Sequence, residues 1–158
     1  MKKNIQLQLL FLFFISIIST SLIAQESPEK VKNEITLALQ RFNNAAKNSN
    51  TDQLLALFDN SDNILFTGSD SAEIWKGKEQ IKGHLNSIFP QESVWFDMNR
   101  IDIDHNGNTA WVFVDGYINI TTDKGEKIKA PYRFSGILVK KNQDWKWRSF
   151  SGSSPAGK

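Results

Sequence analysis

Cysteine is absent from the 158 residues, proline occurs four times, and methionine, histidine and tyrosine occur twice each. Without cysteine no disulfide can brace the fold, so stability must come from packing or from oligomerisation. Two histidines and no cysteines leave no HExxH, paired-Cys or facial-triad spacing, which excludes an ordinary zinc site. No glycine-rich phosphate loop is present either, so no metal and no cofactor is expected. An excess of charge is also missing. The formal net charge of +2 comes from Lys2 and Lys3, and beyond them 17 basic side chains face 17 acidic ones. A neutral balance argues against a general grip on nucleic acid, which needs several Lys or Arg to meet phosphates.

What is present begins with an export-type leader. Met1, Lys2 and Lys3 form a positive start, Leu9 to Ile18 is an almost unbroken apolar run, and Ala24 precedes the polar Gln25 and Glu26. This order predicts a signal peptide over 1–24, although Leu22 makes an imperfect cleavage site, and a secreted or periplasmic mature chain with no stable membrane span. An uncleaved anchor over Ile5 to Ile23 is the alternative reading. Residues 25–158 are then enough for one domain.

Within that domain, Ser27 and Pro28 open a helix in which Val31, Ile35, Ala38, Phe42 and Ala45 recur at helical spacing. Asn50 or Thr51 caps a short second helix carrying Leu54, Leu57 and Phe58. Asn63 to Thr67 and Glu73 to Trp75 read as short strands. A third helix spans Lys78 to Phe89, with Pro90 as its stop, and Gly83 inside it implies close packing against a strand. Four long strands follow, Ser93–Asp104, Thr109–Thr121, Glu126–Lys140 and Asp144–Ser151, separated by Asn106-Gly107, Lys124-Gly125 and Asn142-Gln143, which makes an antiparallel meander. Ser151 to Lys158 reads as a frayed tail.

Both faces of these strands carry apolar side chains. Trp111, Phe113, Asp115, Tyr117 and Asn119 share one side, and Val112, Val114, Gly116, Ile118 and Ile120 share the other. Helices can cover one side, so a second layer or a homodimer partner is expected on the other.

The order of elements resembles the NTF2-like superfamily, and within it the SnoaL-like branch. The residues that carry the likeness are Leu39-Gln40-Arg41-Phe42-Asn43-Asn44-Ala45, Asp52 to Phe58, Trp75-Lys76-Gly77-Lys78-Glu79-Gln80-Ile81 and Trp145-Lys146-Trp147-Arg148. The resemblance implies an α+β cone, with three N-terminal helices packed on a strongly curved antiparallel sheet and a pocket at the wide end. Members include isomerases, cyclases, dehydratases and transport factors, so a pocket is implied more firmly than a reaction. Related sequences often carry His-x-Ser in the final strand, where this chain has Phe150 before Ser151.

The site expectations follow from residue chemistry. Asp115, on an aromatic face, would gain a raised pKa if desolvated and serve as a general base, unless it pairs with Arg133 at the sheet rim. Strand parity puts it inside the expected cone beside Trp111, Phe113 and Tyr117. Tyr117 and Tyr132 can donate to a substrate oxygen or simply pack. His84 borders the apolar stripe of the third helix and can exchange protons near neutrality. Trp75, Trp111 and Phe113 supply aromatic wall, while Trp145 and Trp147 belong to core or to a dimer contact. Asn119-Ile120-Thr121 matches a glycosylation sequon but lies in a strand. The expected ligand is small and apolar or aromatic, with isomerase- or cyclase-like chemistry as the finer form. A binding or assembly module that uses the outer sheet face is the alternative.

Overall fold

The computed structural model describes residues 26–155; the expected leader, 1–24, lies outside the described residues. Helix α1 is Pro28–Lys47. Ser27 caps it by accepting from the Lys30 N–H at 3.3 Å, proline takes the first position, where no donor is needed, and Glu29 and Lys47 suit the two ends of the helix dipole. Its buried stripe is Val31, Ile35, Ala38, Leu39, Phe42, Ala45 and Ala46. Asn50 caps α2 (Thr51–Ala56) by accepting from the Gln53 N–H at 2.9 Å. Strands β1 (Leu65–Thr67) and β2 (Ile74–Lys76) precede α3 (Gly77–Ile88), which buries Ile81 and Leu85. Among the described residues nothing lies within 4 Å of where a Gly83 Cβ would stand, so the close packing against a strand expected there is not found.

The long strands are β3 (Glu92–Asn106), β4 (Thr109–Thr122), β5 (Lys127–Lys141) and β6 (Asp144–Ser153). The expected tail therefore begins later, because Ser151 is still paired with Ser135 on one side and Thr67 on the other. The strands form one six-stranded sheet in the order β2-β1-β6-β5-β4-β3. Here the expected cone is corrected. The sheet is mixed, since β1 runs parallel to β6, and it is open, ending on β2 and β3 without closing or curling strongly.

Two bulges set which residues face the helices. Asn99 has no partner between Met98↔Gly116 and Arg100↔Asp115, and Arg148 has none between Leu138↔Trp147 and Ile137↔Ser149. The helix-covered face collects Val112, Val114, Phe134, Leu138, Trp145, Trp147 and Phe150, all buried. Phe42 of α1 stacks on Phe150 at 5.2 Å and meets Trp147 at 4.9 Å, so one aromatic cluster joins helix and sheet. Arg148, bulged outward, pairs with Asp59 and donates to the Ser61 hydroxyl at 3.1 Å. The edge strand β3 is met from the side by α1. The Phe96 N–H donates to Asn43 Oδ1 at 2.7 Å, and Asn43 Nδ2 returns a bond to the Phe96 carbonyl at 3.0 Å. One carboxamide thus supplies the donor and acceptor that a neighbouring strand would offer.

Candidate functional site

Trp75, His84 and Tyr132 converge at the end of the helix–sheet seam where α3 crosses β1 and β2. The Trp75 indole and His84 imidazole stack at 3.6 Å with 18° between their planes. Phe66 of β1 lies 5.7 Å from Trp75, 5.9 Å from His84 and 4.8 Å from Phe150, tying the pair to the core. Tyr132 enters from β5, with its ring on Phe96 at 5.6 Å. Its hydroxyl passes over β6 at Gly152, where a Cβ would stand 1.8 Å from the oxygen. Only a residue without a side chain lets the phenol lie there.

Glu73, in the turn before β2, completes the group. It is held over Gly68, whose added Cβ would meet the carboxylate at 2.0 Å, and it accepts from the Asp70 N–H at 2.9 Å. Burial lowers the pKa of His84 while the Glu73 charge opposes that shift, so the imidazole favours its neutral form. Burial, with help from Glu73, pushes Tyr132 up to about 12, so its hydroxyl is a donor. The site therefore offers a phenolic donor, a neutral imidazole and a carboxylate against an aromatic wall. Sequence reasoning placed Glu73 at the start of the short strand Glu73 to Trp75 and gave it no site role; the strand begins at Ile74, and Glu73 lies in the turn before it. The same reasoning missed Gly152, because that residue was placed in a tail.

The remaining expected residues lie elsewhere. Trp111, Phe113, Asp115 and Tyr117 point away from the helices, and Trp111, the most open, is 47% exposed. Asp115 accepts from Arg133 Nε at 2.6 Å in an exposed ion pair. The interior position expected for it is overturned. Tyr117 lies under the Lys129 ammonium at 4.8 Å. Trp111 and Phe113 instead wall a separate, mostly apolar groove of about 460 Å³ on the outer face, with Ile137, Ser135, Asp102 and Asp104. Trp145 and Trp147 are core. Among the described residues, no group of three or more His, Asp or Glu is placed to hold a metal ion, and no helix is long and apolar enough to cross a membrane.

Helices on one face of an open mixed sheet, with polar groups gathered at one end of the seam, define an α+β domain of the NTF2-like class. The chain belongs to the SnoaL-like domain family, whose model matches residues 35–157. Solved structures of the same fold include a candidate dehydratase of the NTF2-like family from Streptomyces avermitilis, at TM-score 0.74 and 16% identity over 83% of this chain and 100% of that one. A nuclear transport factor 2 (NTF2-like) superfamily protein from Salmonella enterica aligns at TM-score 0.73 and 20% identity, over 84% of this chain and 96% of its own. A ketosteroid isomerase-like protein from Erwinia carotovora aligns at 0.64 and 16%, over 79% and 96%. No curated protein matches the sequence.

Proposed function

We propose that this domain, exported behind the 1–24 leader, binds a small, mostly apolar molecule at the Trp75–His84–Tyr132 end of the seam. The observation that carries the reading is the convergence of a stacked Trp75–His84 pair with the Tyr132 hydroxyl laid across Gly152. Apolar walls with a few placed polar groups are what small-molecule sites share. The ligand needs an oxygen that accepts from Tyr132 and a flat or hydrophobic body that lies against Trp75. Similarity to a ketosteroid isomerase-like protein and a candidate dehydratase is consistent with a carbonyl-bearing ligand.

Calorimetric titration with small ketones, steroids and aromatic acids tests this. Removing the phenolic donor by Tyr132→Phe is expected to weaken a binder by the value of one hydrogen bond, roughly three- to tenfold, and Trp75→Ala by more. A panel without binders, or a binder indifferent to both substitutions, refutes the reading. Isomerase- or cyclase-like turnover is its finer form, with Glu73 taking the proton. A turnover assay on each binder, compared with Glu73→Gln, tests that step.

A second reading, assembly of two copies through the outer sheet face, is favoured by the exposed rings of Trp111 and Phe113. Sedimentation at micromolar concentration tests it.

A further inference from the structure

The outer faces of β3 and β4 repeat one arrangement three times. Asp97 stands across from Tyr117, Asp102 across from Phe113 and Asp104 across from Trp111, each a carboxylate directly opposite an aromatic ring. Side chains so paired lie within about 5.5 Å at Cβ. The bulge at Asn99 keeps all three on the same face, since it absorbs the odd residue between Asp97 and Asp102.

In the first pair the chain shows what such a unit holds. The Lys129 ammonium lies 2.7 Å from Asp97 Oδ2 and 4.8 Å over the Tyr117 ring, satisfied by a carboxylate and a π face together. The Asp97 carboxyl is held below its ordinary range, with the Lys129 hydrogen bond as the main cause. The other two pairs line the 460 Å³ groove. Asp102 is engaged from its own strand by Arg100 at 2.8 Å. Asp104 accepts the His105 N–H at 2.8 Å, and among the described residues it has no cationic partner. Among the described residues no lysine or arginine lines the groove, whose apolar wall continues from Trp111 and Phe113 to Ile137.

We propose that this groove is a second binding site, for a small organic cation whose ammonium sits between the Asp104 carboxylate and the Trp111 ring and whose apolar body lies on Phe113 and Ile137. Its volume falls in the range of roughly 300–1,000 Å³ usual for small-molecule sites. The charge fits only one sign, because Arg100 already engages Asp102 while Asp104, among the described residues, is left without a cationic partner in a groove that they line with no lysine or arginine. Ser135 at the floor supplies a hydroxyl for a polar substituent. This site is separate from the Trp75–His84–Tyr132 group and takes ligands of different chemistry.

The test uses 2-phenylethylamine, cationic at pH 7, and its neutral counterpart 2-phenylethanol, titrated by calorimetry and by NMR of the indole N–H resonances. The amine is expected to bind roughly tenfold more tightly than the alcohol, to shift the Trp111 indole, and to weaken with added salt. Asp104→Asn should abolish the preference for the cation, Trp111→Ala should weaken the amine about tenfold, and Asp123→Asn in the distant β4–β5 turn should change nothing. Equal affinity for the two probes, or a preference that survives Asp104→Asn, overturns the proposal. So does an amine that shifts the Trp75 indole rather than that of Trp111, which would leave the seam site standing. A dimer that buries Trp111 and excludes the amine overturns it in favour of assembly.

Discussion

At Gly152 the absence of a side chain decides where a tyrosine points. The Tyr132 oxygen occupies the space a Cβ would need, so Gly152→Val must move the phenol or the strand. We expect Gly152→Val to weaken a seam-site ligand at least as much as Tyr132→Phe, by roughly three- to tenfold or more. Combining the two should add little, because both remove one interaction. Titration of the two single variants and the double variant reads this directly. Trp147 shows the opposite case, a large side chain with 0% exposure whose ring meets Phe42, Phe134 and Phe150. Trp147→Ala leaves a cavity that rigid neighbours cannot fill, and a loss of about 3–5 kcal/mol is expected from urea unfolding.

Among elements, α1 is fastened to β5 by charge as well as by packing. Lys140, its side chain only 8% exposed, reaches both Glu26 and Glu34, and Glu34 also accepts from the Trp145 indole at 3.0 Å. Hydrogen bonds from Lys140 and Lys30 pull the Glu26 carboxyl from 4.5 down to about 2. A carboxyl depressed in the folded state takes up its proton more readily when unfolded. Its stabilisation is therefore complete above pH 4.5 and is lost as pH falls toward about 2. Urea midpoints measured down that range should fall with acid, and Lys140→Met should flatten the slope. Every element and three of the turns between long strands were legible in periodicity and turn chemistry. The helix-covered face of β4 was not. Both of its faces are apolar, and size alone favours burying Trp111 and Phe113. Trp145, Trp147, Phe134 and Phe150 from β5 and β6 already fill the space under α1, and β4 buries there only the smaller Ala110, Val112 and Val114. The bulge at Arg148 was equally hidden, because it inserts a residue into a strand whose alternation otherwise reads straight through.

For the whole molecule, the order Lys2-Lys3, apolar run and Ala24 predicts that export removes the leader. N-terminal sequencing after expression in a secreting host is expected to start within two residues of Gln25, and intact Met1 in a membrane fraction would contradict it. An open sheet carries a further liability. β3 is a long outer strand, and an unguarded edge of that kind can template the addition of strands from other molecules, the first step of amyloid-like aggregation. Three devices blunt this one: the Asn43 carboxamide on Phe96, the break in pairing at Asn99, and acids at Asp102 and Asp104. Of these only Asn43 acts by occupying backbone groups. Asn43→Ala would free the Phe96 N–H and carbonyl with little change to the surface charge, and the variant is expected to form thioflavin-positive aggregates sooner than the parent at equal concentration. By this account a helix side chain, acting with the bulge and the two acids, lets the sheet stay open in solution without recruiting its neighbours.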